Sequence, residues 1–167
     1  MVDKKFLEEL EEFIWQHQIH DELEAKEYIC YNESPVLHEK SDIFEIEEFI
    51  KNNKKPTLQQ VLFQYMDRNG GTDAEIYKKA GLDRKHFSKI RTNPEYRPRK
   101  TTMVALAFAL GLDEEETEDL LGAAGYSLSG NDIPDLVARF FLMKGIYDLA
   151  RMNEAVDDMK SKSIRTI

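Results

Sequence analysis

Apolar residues recur at i, i+3 and i+4 spacing along nearly the whole chain, and no run alternates apolar and polar positions over a strand's length. The pattern predicts an all-α protein. Phe6, Leu7, Leu10, Phe13 and Ile14 form one stripe of a first helix from about Asp3 to His17, opposite Glu8, Glu9, Glu11 and Glu12. A second helical stretch, about Asp21 to Tyr31, either continues it or follows a break at Gln18 to His20. Asn32, Ser34 and Pro35 mark NESPVLHEK as a loop. Ser41 or Asp42 then caps a short helix predicted to turn Ile43, Ile46, Phe49 and Ile50 inward, closed by the polar run Asn52 to Pro56. That run sets the boundary between an acidic helical extension, residues 1–55, and the rest.

Residues 56–126 read as five short helices. Thr57 caps LQQVLFQYMDRN, with Val61, Leu62 and Tyr65 inward, and Gly70-Gly71 stops it. Thr72 caps DAEIYKK with Glu75 at the third helical position, a capping-box spacing, and Gly81 ends that helix. Asp83 caps RKHFSKIR, whose Phe87 and Ile90 sit about one turn apart. The loop TNPEYRPRK leads to TTMVALAFALGL, apolar nearly all round and hence the centre of the core. Asp113 opens DEEETEDLLGAAG, with Glu114, Glu115 and Glu116 at the favourable end of the helix dipole. Residues 127–167 add two helices, about Pro134 to Lys144 and about Tyr147 to Met159. Phe87, Ile90, Val104, Leu106, Ala107 and Leu110 are expected to be buried together.

Charge changes the picture in the middle of the chain. The total is −9, yet residues 1–55 carry 7 basic against 15 acidic side chains, residues 56–105 carry 10 against 5, and residues 106–167 carry 6 against 12. Nine of the basic residues fall between 76 and 100, facing only Asp83 and Glu95. A local cationic patch inside an acidic protein suits a polyanion partner, because local potential outweighs the total at contact distance. The single cysteine, Cys30, excludes an intramolecular disulfide and a multi-cysteine zinc site, and no cation or base in sequence activates it. No apolar run approaches the roughly 20 residues of a bilayer span, and the acidic N-terminus lacks a signal-peptide core, so the expected compartment is the cytoplasm and no membrane partner is expected.

The order of short helix, AGLD turn, short basic helix, loop and apolar helix is what a helix-turn-helix requires. Ile76 and Ala80 allow one helix to cross the next, Gly81 permits the left-handed turn, and Leu82 fills the angle between them. Residues from Thr72 to about Leu121 resemble the phage-repressor (Xre-type) helix-turn-helix domain, through TDAEIYKKAGLDRKHFSKIR and VALAFALGLDEEETEDLL. YKKAGLDRKHFSKIR, LLGAAGYSLS and GIYDLARMNEAV are similar, over about residues 57–156, to a helical module of Gram-positive bacteria found alone or fused to domains such as macro domains. The resemblance implies a lambda-repressor-like five-helix fold with an N-terminal helical extension and two C-terminal helices. It also implies a bacterial or phage source. The chain departs from the repressor pattern at Asp73, where a glutamine is usual, at Tyr77, where a small alanine is usual, and in the longer loop after the basic helix.

The function expected from residues 83–91 is sequence-specific recognition of double-stranded DNA by a repressor-like transcriptional regulator. Arg84, Lys85 and Ser88 are the base-reading candidates, since Arg or Lys can pair with guanine O6 and N7 and Ser can donate or accept. Lys89, Arg91, Arg97, Arg99, Lys100 and Thr101 are the phosphate candidates. The alternative is a helical interaction module that keeps this fold and binds a protein, as an adaptor, antitoxin or accessory subunit of a defence or stress system. Phe6, Leu10, Phe13, Ile14 and Trp15 belong to a segment too short for its own core, and pack either on the central domain or on a second copy, the homodimer that a palindromic site would demand. His17 and His20 are three apart but lack a further ligand at firm spacing, and read as an exposed polar pair; no metal and no cofactor are expected. The chain contains no GxxxxGK, GxSxG or HExxH element, so no enzyme is expected.

Overall fold

The computed structural model of the chain describes residues 4–27 and 41–165, with side chains over 4–17 and 42–162. Among the described residues there are nine helices and no strand: α1 (Lys4–Glu27), α2 (Ser41–Asn53), α3 (Leu58–Asn69), α4 (Asp73–Lys79), α5 (Arg84–Thr92), α6 (Lys100–Leu110), α7 (Glu114–Ala123), α8 (Ile133–Met143) and α9 (Leu149–Arg165). The all-α expectation holds. None of these helices is long and apolar enough to cross a membrane. The segment from Gln18 to His20 is helical, so the first stretch runs unbroken to Glu27. The NESPVLHEK loop, Cys30 and the side chain of His20 lie outside the described residues.

Local chemistry sets the helix ends. Thr57 and Thr72 each accept a hydrogen bond from the backbone N–H three residues on, while Gln60 and Glu75 reach back to the cap's own N–H, satisfying orphan donors in both directions. Asp113 does the same with Glu116. Asp83 caps α5 by accepting from His86 N at 2.7 Å. Between α4 and α5 the chain turns at Gly81, whose φ of +69° suits a residue without Cβ, and Leu82 N donates to Tyr77 O at 2.8 Å to close the turn.

The core forms around α6. Met103, Val104, Leu106, Ala107, Phe108, Ala109 and Leu110 are all buried, joined by Phe87 and Ile90 of α5, Ile76 of α4, Leu62 of α3 and Leu120 and Leu121 of α7. The six residues expected to be buried together are all in this cluster. Leu136, Val137, Phe140 and Phe141 of α8 and Met152, Ala155 and Met159 of α9 extend it.

The stripe of α1 is covered within the chain. Phe6 meets the rings of Phe140 and Phe141 edge-on, each at 5.2 Å, and Phe13 meets Phe140 at 5.4 Å, while Leu10 is fully buried. Glu9 accepts from Lys144 Nζ at 2.8 Å, and Glu11 pairs with Lys162. The stripe packs within the chain, but on α8 of the C-terminal pair rather than on the five-helix domain or a second copy, and Trp15 is left 66% exposed. His17, expected to be exposed, is half-buried, with its ring 4.0 Å from that of Phe13 and its Nδ1 2.9 Å from the Phe13 carbonyl.

Helix α2 departs from the expectation. Ile43, Ile46, Phe49 and Ile50 do not turn inward: with Phe44 they are between 45% and 68% exposed. Amphipathic spacing states that a face needs cover, and none of the described residues buries this one.

Candidate nucleic-acid interface

Helix α5 has two faces. Phe87 and Ile90 are buried, and Arg84, Lys85, Ser88 and Lys89 are exposed. At 100° per residue the four exposed positions fall on one continuous arc of about 140°. The three base-reading candidates thus lie together on the solvent face of one helix. Asp83 and its cap bond fix the start of that helix, and Gln59 of α3 fixes its end by donating from Nε2 to the carbonyls of Ile90 (3.1 Å) and Asn93 (3.2 Å). Those carbonyls would otherwise lack partners at a helix C-terminus.

The loop after α5 folds back on it. Glu95 N donates to Asn93 Oδ1 at 3.1 Å and Tyr96 N to Asn93 O at 3.1 Å, a turn that swings Tyr96 against the helix. Tyr96 Oη lies 3.1 Å from His86 Nε2, and Lys89 Nζ lies 4.3 Å from the Tyr96 ring centroid, a cation–π contact. Asp83, Arg84, Lys85, His86, Lys89 and Tyr96 line a shallow hollow of about 620 Å³. Further on, Pro98 is buried and its carbonyl accepts from Tyr126 Oη at 3.1 Å, which anchors the loop between Arg97 and Arg99.

The phosphate candidates divide in two. Lys89, Arg97, Arg99 and Thr101 are exposed. Arg91 is half-buried, pairs with Asp73 and lies 5.1 Å from the Phe63 ring centroid. Lys100 pairs with Asp135, whose carboxylate is nearly buried and also accepts from Ser129 N at 2.7 Å. These two cations tie α5 to α4 and α6 to α8. The anion at position 73 is thereby neutralised within the fold, and the bulk of Tyr77 is absorbed by packing, its ring centroid 5.9 Å from that of Phe87.

His86, expected from its mid-helix position to meet phosphate or solvent, is half-buried against Tyr96, and neither Gln59 nor Tyr96 stands out in the sequence. Gln59 acts across 31 residues of chain, and nothing local signals that; the Asn-Pro turn ahead of Tyr96 was the only cue that this loop returns to the helix.

Elsewhere charge serves the scaffold. Arg68 of α3 donates to Glu116 Oε2 of α7 at 2.9 Å, and this hydrogen bond holds the Glu116 carboxyl below its ordinary 4.5. Burial raises the Tyr65 and Tyr147 hydroxyls above 10.0. Among the described residues no group of three or more His, Cys, Asp or Glu side chains is placed to hold a metal ion. Comparison of the chain with models of known families, with characterised proteins and with solved structures finds no match to any of them.

Proposed function

We propose that this chain is a sequence-specific double-stranded DNA-binding regulator of the phage-repressor type, in which α3 to α7 form the five-helix domain, α4 and α5 the helix-turn-helix, and α5 the recognition helix. It acts by occupying an operator and carries out no catalytic step. The observation that carries the reading is the division of α5: Phe87 and Ile90 hold one face in the core, and Arg84, Lys85, Ser88 and Lys89 share the free arc. A helix about 10–12 Å across fits a major groove about 12 Å wide, so an arc of this kind can meet base edges while its flanks meet phosphates. Lys89, Arg97 and Arg99 supply the cations for those flanks, and loop anchoring by Pro98 sets the last two in place.

Fluorescence anisotropy of the full chain with labelled random duplex at about 50 mM salt, where screening is weak, tests the reading. Saturable binding that weakens with added salt is expected. Absence of binding overturns it and leaves the interaction module in its place, a reading favoured by the −9 total and by the engagement of Arg91 and Lys100 inside the fold.

A further inference from the structure

A groove of about 1,320 Å³ lies on the molecule between α4, α6, α8 and α9, away from the free arc of α5. Ala105, Leu149 and Val156 form its half-buried apolar floor, above the buried Val104 and Phe108. Its two ends differ in charge. Asn69 Nδ2 donates to Leu110 O at 2.9 Å and Tyr147 packs on Phe108 at 6.1 Å, which places Asn69, Tyr147 and Asp148 at the C-terminal end of α6. Helix α4 starts from that end, four residues after Asn69, and α9 starts there two residues after Tyr147; both run towards the start of α6. Lys78, Lys79 and Lys160 therefore gather near the other end, where the Lys100–Asp135 pair is internally neutral and Asp132 is the remaining acid.

Helix α2 carries the complementary pattern. Phe49, Ile46, Ile50 and Ile43 occupy one continuous arc of about 120° and are exposed. Glu45 and Glu47 flank that arc, one on each side, about 100° from its centre. An apolar face of this size normally marks an interface.

We propose that the groove receives α2 of a second copy, with the exchange made reciprocally in a twofold dimer: the isoleucines and Phe49 on the apolar floor, and Glu45 and Glu47, on the two flanks of that face, towards Lys78, Lys79 and Lys160. A second copy is the occupant because, among the described residues, none of α2 lines the groove and its apolar face stays exposed. Each exchanged helix covers a face that both chains expose. This inference goes beyond the DNA reading, and its test contains no DNA, so either can fail alone.

Light scattering and sedimentation of the full chain at micromolar concentration are expected to show a dimer. Ile46→Glu on α2 is expected to give a monomer with an unchanged circular-dichroism spectrum. The paired reversal Lys78→Glu with Lys79→Glu, on exposed positions that leave the core intact, is expected to weaken dimerisation by about tenfold or more, and Glu45→Lys with Glu47→Lys to restore it. In a Cys30→Ser background, a chain carrying Ile46→Cys mixed with a chain carrying Val156→Cys is expected to form a disulfide between the two chains. A monomeric wild type overturns the proposal, as does a dimer indifferent to both sets of substitutions. Placing both cysteines in one chain and recovering a cross-linked monomer assigns the groove to the chain's own α2 and overturns it equally.

Discussion

At the scale of single residues, the nine basic side chains between 76 and 100 are not equivalent, although in sequence they read as one patch. Lys100 faces a nearly buried carboxylate, and its truncation to Ala leaves Asp135 with only the Ser129 amide. A loss of about 1–3 kcal/mol of stability is expected, measured by denaturant melts, because an acceptor taken out of water without its partner bears the desolvation cost. Arg84→Ala is expected to leave the melt unchanged. Its effect belongs to binding: roughly 1–3 kcal/mol at a cognate site, with relaxed preference at one base pair, read by competition between duplexes differing at that pair. Equal loss across all duplexes would place Arg84 on phosphate instead. The sequence could not separate these cases, since the partners of Arg91 and Lys100 are 18 and 35 residues away and nothing in the local pattern names them.

At the scale of elements, what is local was legible. Thr57, Thr72 and Asp83 were read as caps and act as caps, and Asp113, read only as the start of its helix, caps it too, because each satisfies an amide within one turn of itself. Thr72→Ala is expected to cost about 1 kcal/mol, read as a shift of the denaturation midpoint. The destinations of amphipathic faces were not legible. The stripes of α1 and α2 look alike in sequence, yet α8 offers two phenylalanine rings to the first, while among the described residues the second stays exposed. Two substitutions on α1 check its assignment: Phe13→Ala, against Phe140, is expected to cost roughly 3–5 kcal/mol, and Trp15→Ala, at a position 66% exposed, under about 0.5 kcal/mol. The tie between α3 and α7 gives a pH test. The Glu116 carboxyl titrates below 4.5 in the folded chain because it accepts from Arg68, so the pair's contribution is complete above 4.5 and fades as the pH falls through the lowered folded value. Thermal melts of wild type and Arg68→Ala are therefore expected to differ near neutral pH and to converge in acid; a gap that widens in acid would reject the assignment.

At the scale of the whole molecule, the distribution of charge decides how an acidic protein can approach a polyanion. The glutamates of α1 are partly used up by Lys144 and Lys162, Glu116 by Arg68, and Glu114 by Arg139, so acidic side chains on α1 and α7 bind the scaffold together. The exposed cations of the proposed interface stay clear of these pairs. If Arg91 and Lys100 serve the fold, only Lys89, Arg97 and Arg99 remain among the cationic phosphate candidates. Each phosphate contact releases a condensed counterion, so log affinity against log salt is expected to fall with a slope of about 2.7 per chain on a duplex too short for two half-sites. Counting all five cations from the sequence would instead give about 4.5. Arg97→Ala and Arg99→Ala are each expected to flatten the slope by about 0.9 on every sequence alike, whereas Arg84→Ala leaves the slope nearly unchanged and alters preference. A slope near 4.5 that drops when Lys100 is replaced would mean that the Asp135 pair opens on binding, and that the acid at the mouth of the groove gives up its lysine to the phosphate.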